Sequence, residues 1–176
     1  MDSCFSIYPV IHLSNNPSVQ SAAKPFSLLV IGYGNTLRGD DGVGPRVAEA
    51  IGQLNLPGVH TLICQQLSPE HADPVARART VIFVDAAVDA PREVQLRKLE
   101  PGESSQLMAH AADPRTLLAL ARDVFGQAPQ AWWLTIPAVK LDFSETLTPE
   151  TQRGFTEAVE KIQALCQLTL DYLGPV

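Results

Sequence analysis

Gly32-Tyr33-Gly34-Asn35-Thr36-Leu37-Arg38-Gly39-Asp40-Asp41-Gly42-Val43-Gly44-Pro45-Arg46 joins two segments of different periodicity. Before it, Leu28-Leu29-Val30-Ile31 is an unbroken apolar run, which predicts a buried parallel strand. After it, apolar residues at Val43, Val47, Ile51 and Leu54 predict an amphipathic helix. The stretch is therefore a long strand-to-helix loop carrying five glycines and two adjacent carboxylates. In an open α/β sheet such a loop lies at the carboxyl ends of the strands, where ligands bind.

The following segments extend this pattern. Pro57-Gly58 marks a turn, and Val59 to Cys64 reads as a second strand. Pro69 to Ala78 has short-helix character, with Ser68 as N-cap. Thr80-Val81-Ile82-Phe83-Val84 is the clearest buried strand and ends in Asp85. This β-α-β-α-β order predicts a parallel sheet with helices on both faces. Val94 to Leu99 follows too short a connection for a helical crossover, so an antiparallel edge strand is expected, with Val94, Leu96 and the Lys98 stem on one side. Glu100 to Ala112 reads as a loop holding His110. Asp113-Pro114 starts a helix with Leu117, Leu118, Ala121 and Val124 inward, and Gly126 closes it. Ala131 to Ile136 is the last strand, with Trp132 and Trp133 on opposite faces. Thr148-Pro149-Glu150 opens a final helix whose inward face is Phe155, Val159, Ile162, Cys166, Leu170 and Leu173. The expected architecture is a three-layer α/β/α fold, with a mostly parallel, twisted sheet of about five strands and one antiparallel strand. Residues 1–26, rich in Ser, Asn and Pro, read as a weakly structured arm, and residues 27–176 as a single α/β domain. Ile7 to Leu13 is the part of the arm with strand character.

Thirteen basic against 19 acidic side chains give a net charge of −6, which disfavours nucleic acid as a partner. No apolar run reaches membrane-spanning length, and no secretory signal pattern opens the chain. Cys4, Cys64 and Cys166 are odd in number and widely spaced, as suits a reducing cytoplasm. A cytoplasmic monomer is expected. A GxSxG elbow and an HExxH helix are both missing, and Cys64 reads as a small core residue.

Gly32-x-Gly34 after a strand suggests a dinucleotide loop, but position 37 holds Leu where the third glycine belongs. Two carboxylates at the helix start would also repel a pyrophosphate. The structural explanation of Asp40 and Asp41 is helix capping, which needs one acid and leaves the second available for a ligand. Asp85, at a strand end, either bonds to nearby loop amides or faces Asp41 across a crevice. His110 is either a surface histidine, as His12, His60 and His71 read, or a third ligand. Two carboxylates and an imidazole suit a divalent transition ion without selecting nickel.

The glycine-rich stretch resembles the signature G-x-G-N-x-L-x-x-D-(D/E)-x-x-G of the NiFe-hydrogenase maturation endopeptidases. The likeness continues through Val81 to Ala86, the His110 loop and Glu145-Thr146-Leu147-Thr148-Pro149, covering roughly residues 27 to 170. It implies a protease that removes a C-terminal extension from the hydrogenase large-subunit precursor after nickel insertion. It further implies that Asp41, Asp85 and His110 are the catalytic residues and the metal ligands. The cofactor would be nickel supplied by the substrate, so the isolated chain is expected to be empty or to hold another divalent ion there. Many members have Glu where this chain has Asp41, and Cys64-Gln65-Gln66-Leu67 departs from the glycine-rich sequence of several relatives. Whether the chemistry is metal-assisted or a metal-free aspartic mechanism stays open, as does the hydrogenase subtype. Two other classes also remain: a non-catalytic nickel-dependent checkpoint for the large subunit, and an enzyme like peptidyl-tRNA hydrolase, which the acid pair disfavours.

Overall fold

The computed structural model describes residues 26–88, 92–103 and 113–173, with side chains of the last helix described as far as Gln167. The expected arm, its Ile7 to Leu13 segment, and His12 and His110 lie outside the described residues. The first strand begins at Phe26, one residue inside the arm as delimited from sequence.

Five strands form one sheet: β1 (Phe26–Tyr33), β2 (Val59–Cys64), β3 (Ala78–Ala87), β4 (Gln95–Leu99) and β5 (Gln130–Pro137). Their order is β2-β1-β3-β5-β4. All pairs are parallel except β4 with β5. The antiparallel edge strand is thus where the sequence predicted it, but its partner is the last strand. β5 enters between β3 and β4. β3 also runs two residues beyond Asp85, which pairs with Thr135 as a member of the strand.

Alternation along the strands feeds two cores. Leu28 and Val30 of β1, Ile82 and Val84 of β3, and Leu134 and Ile136 of β5 face α1 (Val43–Gln53) and α4 (Pro149–Leu173). Leu29, Ile31, Tyr33, Val81, Phe83 and Ala131 face α2 (Ala72–Arg77) and α3 (Pro114–Phe125). Trp132 and Trp133 divide between these cores, as their adjacency requires. Each large side chain withdrawn from water contributes about 1.5–3 kcal/mol, so burial on both faces holds the layers together.

Two residues of the expected helical spacings fall elsewhere. Leu54 lies past the end of α1, where Asn55 adopts a left-handed φ of 49°, and the turn leaves Leu54 exposed. Val124 sits in the last turn of α3 and is 63% exposed. The α3 boundaries behave as read: Asp113 accepts from the Arg115 amide at 2.8 Å, and Gly126 closes the helix with a φ of 78°.

The topology sets the position of the site. The chain leaves β1 for β2 on one side and then crosses back to β3 on the other, so the switch point lies between β1 and β3. The glycines of the first loop let backbone meet backbone there. A Cβ on Gly44 would stand 2.5 Å from the carbonyl oxygens of both Tyr33 and Val84. Only a residue without a side chain lets the start of α1 rest on these two strand ends. Gly34 has a φ of 137°, which favours glycine, and a Cβ there would collide with the Asp41 carbonyl. The glycines therefore serve close packing of this loop.

Candidate functional site

Asp40 is completely buried. Its carboxylate accepts from the amides of Val139 (2.9 Å), Lys140 (3.0 Å) and Thr148 (2.7 Å), and from the Thr148 hydroxyl (2.9 Å). Burial pushes its pKa up, but these donors outweigh burial and hold it below the ordinary carboxylate range. Backbone bonds reinforce the latch, from Gly39 N to Ser144 O (2.7 Å), Asp40 N to Lys140 O (3.0 Å) and Ser144 N to Leu37 O (3.0 Å). Arg46 adds a bond from Nη2 to the Glu145 carbonyl. Asp40 is thus the supporting acid, although not as a helix cap. Neither the short 3₁₀ turn Gly39–Gly42 nor α1 has a side-chain cap.

Asp41 is half-buried, and its Oδ2 accepts from the Asn35 amide at 3.0 Å. Asn35 in turn accepts from the Leu37 amide through Oδ1 (2.9 Å) and from the Arg38 amide through its carbonyl (3.0 Å). The bond to Asn35 orients Asp41 and leaves acceptor capacity on its carboxylate, which an ionised acid uses for a cation or a proton.

Asp85 stands across the switch point, and the two acids interact. Burial, mainly, pushes the Asp85 carboxyl up to about 6. The Tyr33 hydroxyl and Ala86 amide oppose this rise, and the Asp41 charge adds to it. Folding therefore costs stability as Asp85 ionises. The penalty is absent below pH 4, grows between about 4 and 6, and is constant above. Asp85→Asn removes it. At pH 7.5 this variant is expected to be more stable than the native chain by about 1–3 kcal/mol, the gap closing by pH 4, as read by urea unfolding at both pH values.

The structure thus brings Asp41 and Asp85 together and assigns Asp40 elsewhere. His110, the third residue expected here, lies outside the described residues. Among the described residues no group of three or more His, Cys, Asp or Glu side chains is placed to hold a metal ion. His71 has a structural part, its Nδ1 accepting from the Ser68 amide at 3.0 Å. Burial raises the Cys64 thiol to about 11, so it stays protonated and unsuited to nucleophilic attack. Sequence reasoning missed Tyr33, which occupies the unspecified place in Gly32-x-Gly34 and lies beside Asp85. The signal was there: a large aromatic with a hydroxyl, at a strand end, between glycines.

The rim of this sheet edge carries exposed apolar side chains beside exposed Arg38, Lys140 and Asp142. Leu37, Ile63, Val88, Val139 and Phe143 are all exposed, Phe143 by 84%. Beside Asn35 a cavity of ≈ 360 Å³ is lined by Gly34, Thr36, Leu37, Pro45, Ile63 and Gln65, with no charged side chain. No helix among the described residues is long and apolar enough to cross a membrane.

The chain matches no family model and no curated protein. Among solved structures it is similar to the hydrogenase maturating endopeptidase HybD from E. coli, at 24% identity and a TM-score of 0.66, over 82% of this chain and 94% of that one. It is similar to the hydrogenase 2 maturation peptidase from a Thaumarchaeota archaeon, at 26% identity and a TM-score of 0.58, over 78% and 97%. HybD from Thermococcus kodakarensis aligns at 22% identity and a TM-score of 0.61, over 80% and 99%. The fold is the one these endopeptidases share.

Proposed function

We propose that this chain is a hydrogenase maturation endopeptidase, which removes the C-terminal extension of a NiFe-hydrogenase large-subunit precursor after nickel insertion. The observation that carries this reading is the pair Asp41 and Asp85 at the β1/β3 switch point, on the fold shared with such peptidases. Asp40 being committed to the latch leaves Asp41 as the free acid of its doublet. The exposed apolar side chains of the rim and the uncharged cavity beside Asn35 favour a polypeptide over a phosphorylated substrate.

In this reading the nickel is part of the substrate. Asp41, Asp85 and His110 would hold it, and its charge would offset the Asp41 repulsion that adds to burial in raising Asp85. Nickel would supply polarisation of the scissile carbonyl. The chain's own contribution is to seat the precursor on the rim, so that the scissile peptide stands near the carboxylates. An ionised carboxylate then takes a proton from the attacking water.

A second reading has one observation in its favour. Burial, with the Asp41 charge adding to it, raises Asp85 to about 6, and a carboxyl raised beside a second carboxylate is the arrangement a metal-free acid pair requires. His110→Ala separates the two readings, with nickel-loaded and nickel-free precursor as substrates and cleavage followed by mass. Loss of processing in this variant, together with failure of the native chain to cut nickel-free precursor, supports nickel recognition. Full processing by the variant supports the metal-free pair.

A further inference from the structure

At this edge the Tyr33 hydroxyl and Trp133 Nε1 are buried without a well-formed hydrogen bond among the described residues, although the hydroxyl lies near enough to Asp85 and to the indole to interact with both. Buried donors are nearly always paired, so these two ask for an explanation. Tyr33 is only 8% exposed, and solvent does not account for its hydroxyl. The strand register brings both atoms to the same place. Gly32 pairs with Val84, so the next step along β1 and β3 sets Tyr33 beside Asp85. Phe83 pairs with Trp133, and Asp85 with Thr135. Tyr33, Asp85 and Trp133 therefore stand on one face of three adjacent strands, with Tyr33 and Asp85 near the carboxyl ends and Trp133 two residues before the register partner of Asp85.

The surroundings fix the direction of donation. An indole only donates, so between Trp133 and Tyr33 the phenolic oxygen is the acceptor. The phenol keeps its proton at neutral pH, as an unperturbed tyrosine does. Its proton is thus available to a carboxylate. The Arg97 guanidinium lies 5.6 Å from the Trp133 ring centroid, which restrains the indole.

We propose that Tyr33 is a positioning residue for Asp85: Trp133 Nε1–H donates to the Tyr33 oxygen, and the Tyr33 O–H donates to the Asp85 carboxylate, turning its other oxygen toward the crevice shared with Asp41. The inference rests on the reading of Asp85 as a working carboxylate. Hydrogen bonds of this kind are often long or misaligned in a free enzyme and tighten when substrate docks. A donor behind the phenol polarises its O–H and strengthens the bond it makes.

The test uses Tyr33→Phe, Trp133→Phe and Asp85→Asn, with nickel-loaded precursor as substrate and kcat and KM determined separately. Phenylalanine preserves the Tyr33 ring and its packing. Tyr33→Phe is expected to lower kcat about 10-fold or more with KM within about twofold, and Trp133→Phe to lower kcat by a smaller factor. Urea unfolding at pH 7.5 gives an independent readout: Tyr33→Phe lowers the midpoint of the native chain but not that of an Asp85→Ala background. The inference is overturned if kcat of Tyr33→Phe stays within twofold while Asp85→Asn is inactive, or if the midpoint falls equally in both backgrounds. Full cleavage by Asp85→Asn would instead overturn the underlying reading of Asp85.

Discussion

Asp41→Asn is expected to stop precursor processing, lowering the rate by at least about 100-fold while leaving the fold intact. The side-chain oxygen of Asn keeps the bond from the Asn35 amide, so the loop from Gly34 to Arg38 retains its shape. What disappears is the charge that faces Asp85 across the switch point. Under nickel recognition the site loses an anionic ligand. Under the metal-free pair it loses one of the two acids that share a proton. The prediction holds under both, which makes it a test of the site and not of the chemistry. A time course of precursor mass, with circular dichroism to confirm folding, provides the measurement. Processing within tenfold of the native rate would remove Asp41 from the site.

Asp40→Ala is expected to act on stability, by about 4 kcal/mol. The substitution leaves the amides of Val139, Lys140 and Thr148 and the Thr148 hydroxyl without their shared acceptor, the completely buried Asp40 carboxylate. Thr148 immediately precedes α4, so the loss loosens the start of that helix and the β5–α4 loop together. The pH dependence has a definite sign. The folded-state pKa is depressed, so the stabilisation is fully present above the unfolded pKa of about 4 and is lost as pH falls through the lower folded value. Urea midpoints across pH 3 to 7 should show an acid limb in the native chain that is flattened in Asp40→Ala. An unchanged midpoint at pH 7 would contradict the latch.

Those two neighbouring acids show where sequence reading succeeds and stops. Unbroken apolar runs, the Pro57-Gly58 turn and the Asp113 and Thr148 helix starts are local signals, and the elements they predict are present. Which of Asp40 and Asp41 is structural depends on donors 99 to 108 positions away, which no local pattern encodes. Strand order has the same character: β4 follows β3 in the chain but pairs with β5. Val124 keeps the helical spacing of its inward neighbours, yet it is exposed in the last turn of α3, so spacing alone misplaces it. Tyr33 was hidden differently. In Gly32-x-Gly34 the middle residue reads as a spacer, and its partnership with Asp85 emerges only once β1 and β3 are set in register.

Whether this chain cuts is read most directly from the mass of its substrate. The purified chain is incubated with nickel-loaded hydrogenase large-subunit precursor, and the intact mass of the precursor is read before and after. The account predicts a large subunit shortened by a single C-terminal peptide, with that peptide recovered in solution and none released by Asp41→Asn. A stable complex of the chain with a precursor of unchanged mass would contradict it and identify a checkpoint that binds without cleaving.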